Sequence, residues 1–206
     1  MNILEQIAAQ TRERIEAEKR QTPTEELIRQ IEAAEQKKSK QSFYEALKKP
    51  GMSYICEVKK ASPSKGLIAS DFPYLDIARE YEAAGASAIS CLTEPFRFLG
   101  KDAYLQEIAA QVEIPVLRKD FTVDEYMIYQ ARLLGASAVL LICAILDDAQ
   151  LRAYRELAES LGMDALVEAH DEAEACRAAV SGARIIGEIN RHLKSFQVDV
   201  TNSVRL

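Results

Sequence analysis

The sequence predicts an α/β fold in which helices cover a parallel sheet. Six short apolar runs recur from residue 54 onward, and amphipathic segments of helical length separate them. Continuous apolar runs, rather than alternating ones, are typical of strands buried on both faces. Four helical segments close with a glycine and turn within a few residues into an apolar run, at Gly85, Gly135, Gly162 and Gly182. This repeated junction indicates a series of βα units.

The apolar runs define the predicted strands and the segments between them define the helices. The strands are expected at 54–58, 88–92, 115–117, 138–142, 165–167 and 184–189. Helices are expected at 74–84, 124–134, 148–161 and 171–180. The series fits either an open doubly wound sheet or part of a (β/α)8 barrel. Both architectures place functional groups at the carboxyl ends of the strands.

Residues 1–50 are interpreted as a helical extension, and residues 51–206 as the βα domain. The extension carries apolar side chains at helical spacing, namely Ile3, Ile7, Ala8 and Ile15 in one helix and Leu27, Ile28 and Ile31 in another. Residues 22–26 (TPTEE) predict the start of the second helix, with a threonine oxygen as its cap.

Composition excludes several classes of protein. The net charge of −6 and the pI near 5.2 speak against a nucleic-acid binder. No apolar run has the length of a membrane span, and the first residues have no apolar signal segment. The four cysteines are too far apart for a C-x-x-C motif; they are Cys56, Cys91, Cys143 and Cys176. This usage is typical of a cytoplasmic protein with reduced thiols, and core packing is expected for the three that fall in or beside apolar runs, Cys56, Cys91 and Cys143.

Charged side chains follow three of the predicted strands. Glu57 and Lys59 share a face of the first strand because side chains alternate, while Lys119 and Glu168 end the third and fifth. Alternate strands of a barrel contribute to the same layer, so all four could face one pocket. Two ammonium groups and two carboxylates suit proton transfer on an anionic substrate. A single charge that ends a strand is usually a solvated loop residue, so it is the recurrence on three strands that favours a functional site.

The two histidines give only weak indications of a metal. Glu168 with His170, and Glu188 with His192, are pairs that more often form surface hydrogen bonds than metal sites. No metal site is therefore predicted.

Five ordered motifs carry a resemblance to a known family. They are residues 57–66 (EVKKASPSKG), 92–94 (LTE), 117–121 (LRKDF), 140–146 (LLICAIL) and 167–171 (VEAHD). Over essentially the whole chain they resemble indole-3-glycerol-phosphate synthase of tryptophan biosynthesis. The resemblance implies a (β/α)8 barrel. It also implies a carboxy-lyase that closes the ring of 1-(2-carboxyphenylamino)-1-deoxyribulose 5-phosphate, with loss of CO₂ and water and without a metal or organic cofactor.

The resemblance also implies roles for individual residues. Lys119 would be the general acid on the substrate carbonyl, and Glu168 the general base of the dehydration. Lys59 would hold an anionic group of the substrate and share acid duty, with Glu57 orienting it. The substrate-binding residues would be Phe98, Leu140 and Ile142 as a wall for the aromatic ring, Ser64 for the anionic end and Arg191 for the carboxylate.

Two features depart from the family pattern. A complete barrel has eight strands in about 250 residues. This chain has 206 residues and six predicted strands, so strands seven and eight are expected to be absent. In the sixth strand, Ile189 stands where the family has a catalytic Asn, and Glu188 stands at an apolar position. We therefore expect impaired synthase activity. Unpaired sheet edges predict a homodimer or a swapped homo-oligomer.

Three functional hypotheses remain at this point. The first is a synthase of the resembled family, acting on an anionic sugar-phosphate small molecule in the cytoplasm, with no nucleic-acid or membrane partner. The second is a non-catalytic barrel fragment that assembles through its open edges. The third is a different sugar-phosphate-binding barrel, which the motifs around Lys59, Lys119 and Glu168 disfavour.

Overall fold

The fold is a curled parallel sheet with a helix after each of its first five strands. The computed structural model describes residues 2–34 and 41–189. The sheet strands are β1 (Ile55–Val58), β2 (Ala88–Leu92), β3 (Val116–Lys119), β4 (Ala138–Ile142), β5 (Asp164–Ala169) and β6 (Ile185–Glu188). The helices are α1 (Ile3–Gln21), α2 (Thr24–Ala33), α3 (Phe43–Leu47), α4 (Tyr74–Ala83), α5 (Asp102–Gln111), α6 (Tyr126–Leu133), α7 (Asp148–Ser160) and α8 (Glu172–Val180).

The strand order decides between the two architectures that the sequence left open. The six strands follow one another in chain order across the sheet, and every pair is parallel. A doubly wound sheet reverses its order at a switch point, whereas a (β/α)8 barrel does not. The predicted barrel class is therefore confirmed, with six βα-type strands in the part of the chain that the structure describes.

The sheet has two buried faces with different partners. The outer face packs on the helices through side chains such as Ile89, Val139 and Val167. The inner face carries Leu117, Leu140 and their neighbours in a second cluster; the other members are Leu4, Phe43, Ala88, Ala138, Ile142 and Leu166. Burial on both faces explains why the strands are continuous apolar runs.

The N-terminal helices pack against the sheet at its two ends. At the carboxyl end, α1 is joined to the segment after β3 by Arg14 with Asp120 (3.1 Å) and by Lys19 with Asp124 (2.6 Å). At the amino end, α3 places Phe43 in the inner cluster, where it is fully buried. The extension thus covers inner-face surface that the strands alone would leave open.

The start of α2 corrects one sequence prediction. The helix begins at Thr24 as expected, but its cap is Pro23 and no side-chain oxygen caps it. Thr22 instead closes α1, because its backbone N–H donates to the Glu18 carbonyl. Only two residues separate the helices, so the threonine ends one helix rather than starting the next.

No helix within residues 2–34 and 41–189 combines the length and the apolar composition that crossing a bilayer requires.

Candidate active site

An ion pair between β3 and β5 lies at the carboxyl end of the sheet. Lys119 Nζ donates to Glu168 Oε1 at 2.5 Å. Lys119 shares its face with Leu117, and Glu168 is in register with Ile142, so both side chains point to the inner face. The two strands flank β4, which is the alternate-strand arrangement expected of a barrel layer.

This pair is largely withdrawn from water. The side chain of Glu168 is 10% exposed and that of Lys119 is 26% exposed. Partial burial strengthens the attraction between opposite charges, and the remaining exposure leaves the pair accessible from the carboxyl end of the sheet. The geometry therefore supplies a proton donor beside a proton acceptor.

A second ion pair lies on β1 and just beyond it. Lys59 Nζ contacts Glu57 Oε1. Glu57 is in register with Ser90, which shares the inner face with Ala88. The structure thus brings the four charged residues of the sequence analysis to the inner side as two pairs, one on β1 and one across β3 and β5.

Apolar and aromatic side chains adjoin the charged groups. Leu140 and Ile142 are buried on the inner face of β4. Phe98 lies in the loop after β2, and its ring centroid is 6.2 Å from that of Phe121. Sequence reasoning missed Phe121, although strand alternation after Lys119 predicts that it shares the inner face.

Two of the predicted substrate-binding residues, Ser64 and Arg191, do not lie on the strands of the sheet in the part of the chain that the structure describes. Ser64 is exposed in the turn of a short hairpin after β1, formed by Ala61–Ser62 and Gly66–Leu67. The Phe98 carbonyl accepts a hydrogen bond from Ala61 N at 3.2 Å, which ties this hairpin to the loop after β2. Arg191 and His192 lie outside the described residues.

Asp120, which sequence reasoning also missed, stabilises the segment that follows Lys119. This buried carboxylate accepts hydrogen bonds from Thr93 Oγ1 (2.8 Å), Arg14 Nη2 (3.1 Å) and Phe121 N (2.8 Å). Three donors from three parts of the chain hold β3, β2 and α1 together. The end of β3 is therefore rigidly supported next to the candidate acid.

A comparison with models of protein families identifies the family of the chain. A family model described as "Indole-3-glycerol phosphate synthase" matches residues 4–206. The chain belongs to this family. Its membership agrees with the five motifs and with the barrel order of the strands. The chain is thus, by resemblance, a carboxy-lyase of tryptophan biosynthesis.

Curated relatives of the same name match nearly the whole chain. The relative from Ruminiclostridium cellulolyticum is 53% identical over 204 residues, which are 99% of this chain and 78% of the relative. The relative from Lacticaseibacillus casei is 55% identical with the same coverage. The relative from Chlorobium phaeovibrioides is 46% identical over 208 residues, covering all of this chain and 80% of the relative.

The end of β6 carries Glu188 and Ile189, the two residues that are expected to depart from the synthase pattern. Ile189 N donates to the Ala169 carbonyl at 3.2 Å. Alternation places the Ile189 side chain on the same face as Ile185, which packs on the inner cluster. Glu188 is on the outer face, and its Oε1 is buried without a hydrogen-bond partner among the described residues. An apolar side chain thus stands at the inner face beside the candidate site.

Cys91 and Cys143 belong to the outer cluster, on the opposite face of the sheet from the charged pairs. Cys91 and Cys143 are buried, and burial raises the pKa of Cys91 to about 12 and the pKa of Cys143 to about 11. Thiols with such pKa values stay protonated at neutral pH and are poor nucleophiles. Within residues 2–34 and 41–189, no group of three or more His, Cys, Asp or Glu side chains is arranged to hold a metal ion.

Proposed function

We propose that the chain catalyses the ring closure of 1-(2-carboxyphenylamino)-1-deoxyribulose 5-phosphate to an indole, with release of CO₂ and water. The observation that carries the proposal is the 2.5 Å pair of Lys119 and Glu168 on the inner face. Family membership supports the same chemistry. The reaction forms one carbon–carbon bond and loses the carboxyl carbon as CO₂ and the carbonyl oxygen as water.

Lys119 acts as the acid and Glu168 as the base. The Lys119 ammonium donates a proton to the carbonyl oxygen as the aromatic ring carbon attacks the carbonyl carbon. Loss of CO₂ then restores the aromatic ring. In the dehydration, Glu168 accepts a proton from the carbon next to the one that bears the new hydroxyl. The hydroxyl leaves as water with a proton from the Lys119 ammonium, which solvent has reprotonated after the first step. Proton transfers between these groups suffice, so the reaction needs no metal or organic cofactor.

The other predicted residues bind the substrate. Lys59 holds an anionic group and assists as an acid, and the contact with Glu57 keeps its ammonium in place. The aromatic ring lies against an apolar wall; its members are Phe98, Leu140 and Ile142. Ser64 takes the anionic end of the substrate and Arg191 takes the carboxylate.

Ile189 lowers the rate of this chain. Its hydrocarbon side chain can neither donate nor accept a hydrogen bond at the position where the resembled family has an Asn. Loss of one preorganised donor typically costs about 10²–10³ in rate. The chain thus binds an anionic sugar phosphate and converts it slowly. Free cysteines throughout favour action in the cytoplasm.

The test is product formation by the 206-residue chain. Indole fluorescence is followed after addition of the substrate, and released CO₂ is measured in parallel. One CO₂ for each indole supports the proposal, and both signals should fall in the Lys119→Met and Glu168→Gln variants. Matched changes at exposed Lys49→Met and Glu25→Gln should leave them unchanged. Absence of both products from the unaltered chain would refute the proposal.

A further inference from the structure

The loop after β2 is organised around one buried carboxylate. Glu94 is fully buried and accepts hydrogen bonds from three consecutive backbone N–H groups. The donors are Phe96 (2.9 Å), Arg97 (2.7 Å) and Phe98 (2.9 Å). A buried carboxylate is costly unless it is hydrogen-bonded, and these contacts compensate its charge. The same contacts fix the backbone that carries the Phe98 ring.

The loop also closes tightly on itself. Gly100 N donates to the Glu94 carbonyl at 2.8 Å. A Cβ at Gly100 would lie 2.4 Å from the Leu92 carbonyl oxygen, so no other residue fits there without a backbone shift. Leu99 adopts a φ of 52°, a conformation that residues with a side chain rarely adopt. Such a backbone persists only where its surroundings hold it.

We propose that Glu94 is a positioning residue that presets the Phe98 ring against Phe121. The proposal rests on the proposed function, in which Phe98 forms part of the wall for the aromatic ring of the substrate. Glu94 has no role in proton transfer, because its carboxylate is fully buried and is occupied by the three loop N–H groups. It acts by lowering the cost of ordering Phe98 when the substrate binds.

The chain offers a matched control for this carboxylate. Glu82 on α4 also accepts two backbone hydrogen bonds from a loop, from Glu113 N (2.7 Å) and Ile114 N (3.0 Å). That loop precedes β3 and therefore lies at the opposite end of the sheet. Glu94→Gln and Glu82→Gln each remove the negative charge of a carboxylate that accepts backbone hydrogen bonds, one beside the candidate site and one remote from it.

The first measurement is independent of ligand. Hydrogen exchange of the amides of residues 96–98 should be faster in Glu94→Gln than in the unaltered chain, and unchanged in Glu82→Gln. Unchanged protection in Glu94→Gln would show that the carboxylate does not order the loop and would overturn the proposal.

The second measurement is binding of the sugar-alcohol analogue, in which the substrate carbonyl is reduced and cannot react. Its Kd should rise by roughly tenfold in Glu94→Gln, since one aromatic side chain and its loop must then be ordered on binding. The Kd should stay unchanged in Glu82→Gln. Weaker binding in Glu82→Gln as well would indicate a general loss of folded protein and would overturn the specific role.

A double-variant cycle separates positioning from stability. If Glu94 acts through Phe98, the effect of Glu94→Gln on Kd should shrink to less than about twofold in a Phe98→Ala background. An undiminished effect in that background would overturn the proposal. An unchanged Kd in Phe98→Ala alone would remove Phe98 from the proposed substrate wall, and with it this role of Glu94. Failure of the unaltered chain to bind the analogue would count against the proposed function itself.

Discussion

The proposed role of Lys59 in substrate binding can be tested separately from the acid–base roles of Lys119 and Glu168. If its ammonium holds an anionic group of the substrate, Lys59→Met should raise KM by roughly 10- to 100-fold, the range expected for loss of one charged hydrogen bond. The fall in kcat should be smaller. Steady-state kinetics would measure both constants. Lys60→Met is the matched control, because it removes the neighbouring ammonium, to which no contact with the substrate is assigned. An unchanged KM in Lys59→Met would contradict the assignment.

Ile189 permits a test by gain of function. Its side chain is on the inner face at the end of β6 and has no polar atom. Ile189→Asn should raise kcat by roughly tenfold or more, because it returns a hydrogen-bonding group to a site that stabilises developing charge. Ile189→Val, which adds no polar group, should leave kcat unchanged. An equal or lower kcat in Ile189→Asn would show that the isoleucine does not limit the rate.

Among the individual residues of the site, those on strands could be placed from the sequence. Lys119 and Glu168 follow apolar runs, so alternation alone places them on the inner face with Leu140. The position of Phe98 could not be predicted in the same way. It depends on three N–H contacts with Glu94, which arise from the folded loop and leave no periodic signal in the sequence.

At the scale of elements, Asp164 joins the start of β5 to α3 and to the residue just before it. Its buried carboxylate accepts hydrogen bonds from Ser42 Oγ (2.7 Å), Tyr44 N (2.9 Å) and Arg184 Nη2 (2.6 Å). Asp164→Ala should lower the free energy of unfolding by about 1–3 kcal/mol, because three partly buried donors lose the buried acceptor that they share.

Equilibrium unfolding in urea would measure this loss. Asp148→Ala is the control, since Asp148 also contacts an arginine but its side chain is 78% exposed. Exposed pairs contribute at most about 1 kcal/mol. Equal effects of the two changes would show that α3 is not anchored through Asp164.

Elements buried on both faces were predicted most accurately. The bounds of β2 and β4 agree with the predicted runs at 88–92 and 138–142. β3 and β5 extend beyond the predicted runs, because their ladders continue through charged inner-face residues. The hairpin after β1 and the helix α3 were not predicted. Both are short, and contacts with distant parts of the chain stabilise them, as Asp164 does for α3.

At the scale of the whole molecule, the sheet has two edges within the described residues. β1 and β6 each pair with one neighbour there. Apolar side chains near these edges are exposed, including Tyr54 (59%) and Ile186 (43%). Unpaired strand edges are templates for pairing with another chain. We therefore propose that the 206-residue chain forms a homodimer or a swapped homo-oligomer through these edges.

Sedimentation equilibrium over a concentration series would test the assembly. We expect a mass that rises with concentration toward at least twice the 23.0 kDa of one chain. Ile186→Lys should weaken the association by placing a charge beside the β6 edge. A 23.0 kDa monomer at every concentration would contradict the proposal.

The central claim is that Lys119 and Glu168 act as one acid–base pair. A double-variant cycle on kcat, with Lys119→Met, Glu168→Gln and the combined variant, tests it most directly. Each single change should lower kcat by roughly 10²–10⁴, and the combined variant should be about as slow as the slower single one, because groups that act as a unit are not additive. Effects that multiply in the combined variant, or a single variant that retains full turnover, would contradict the claim.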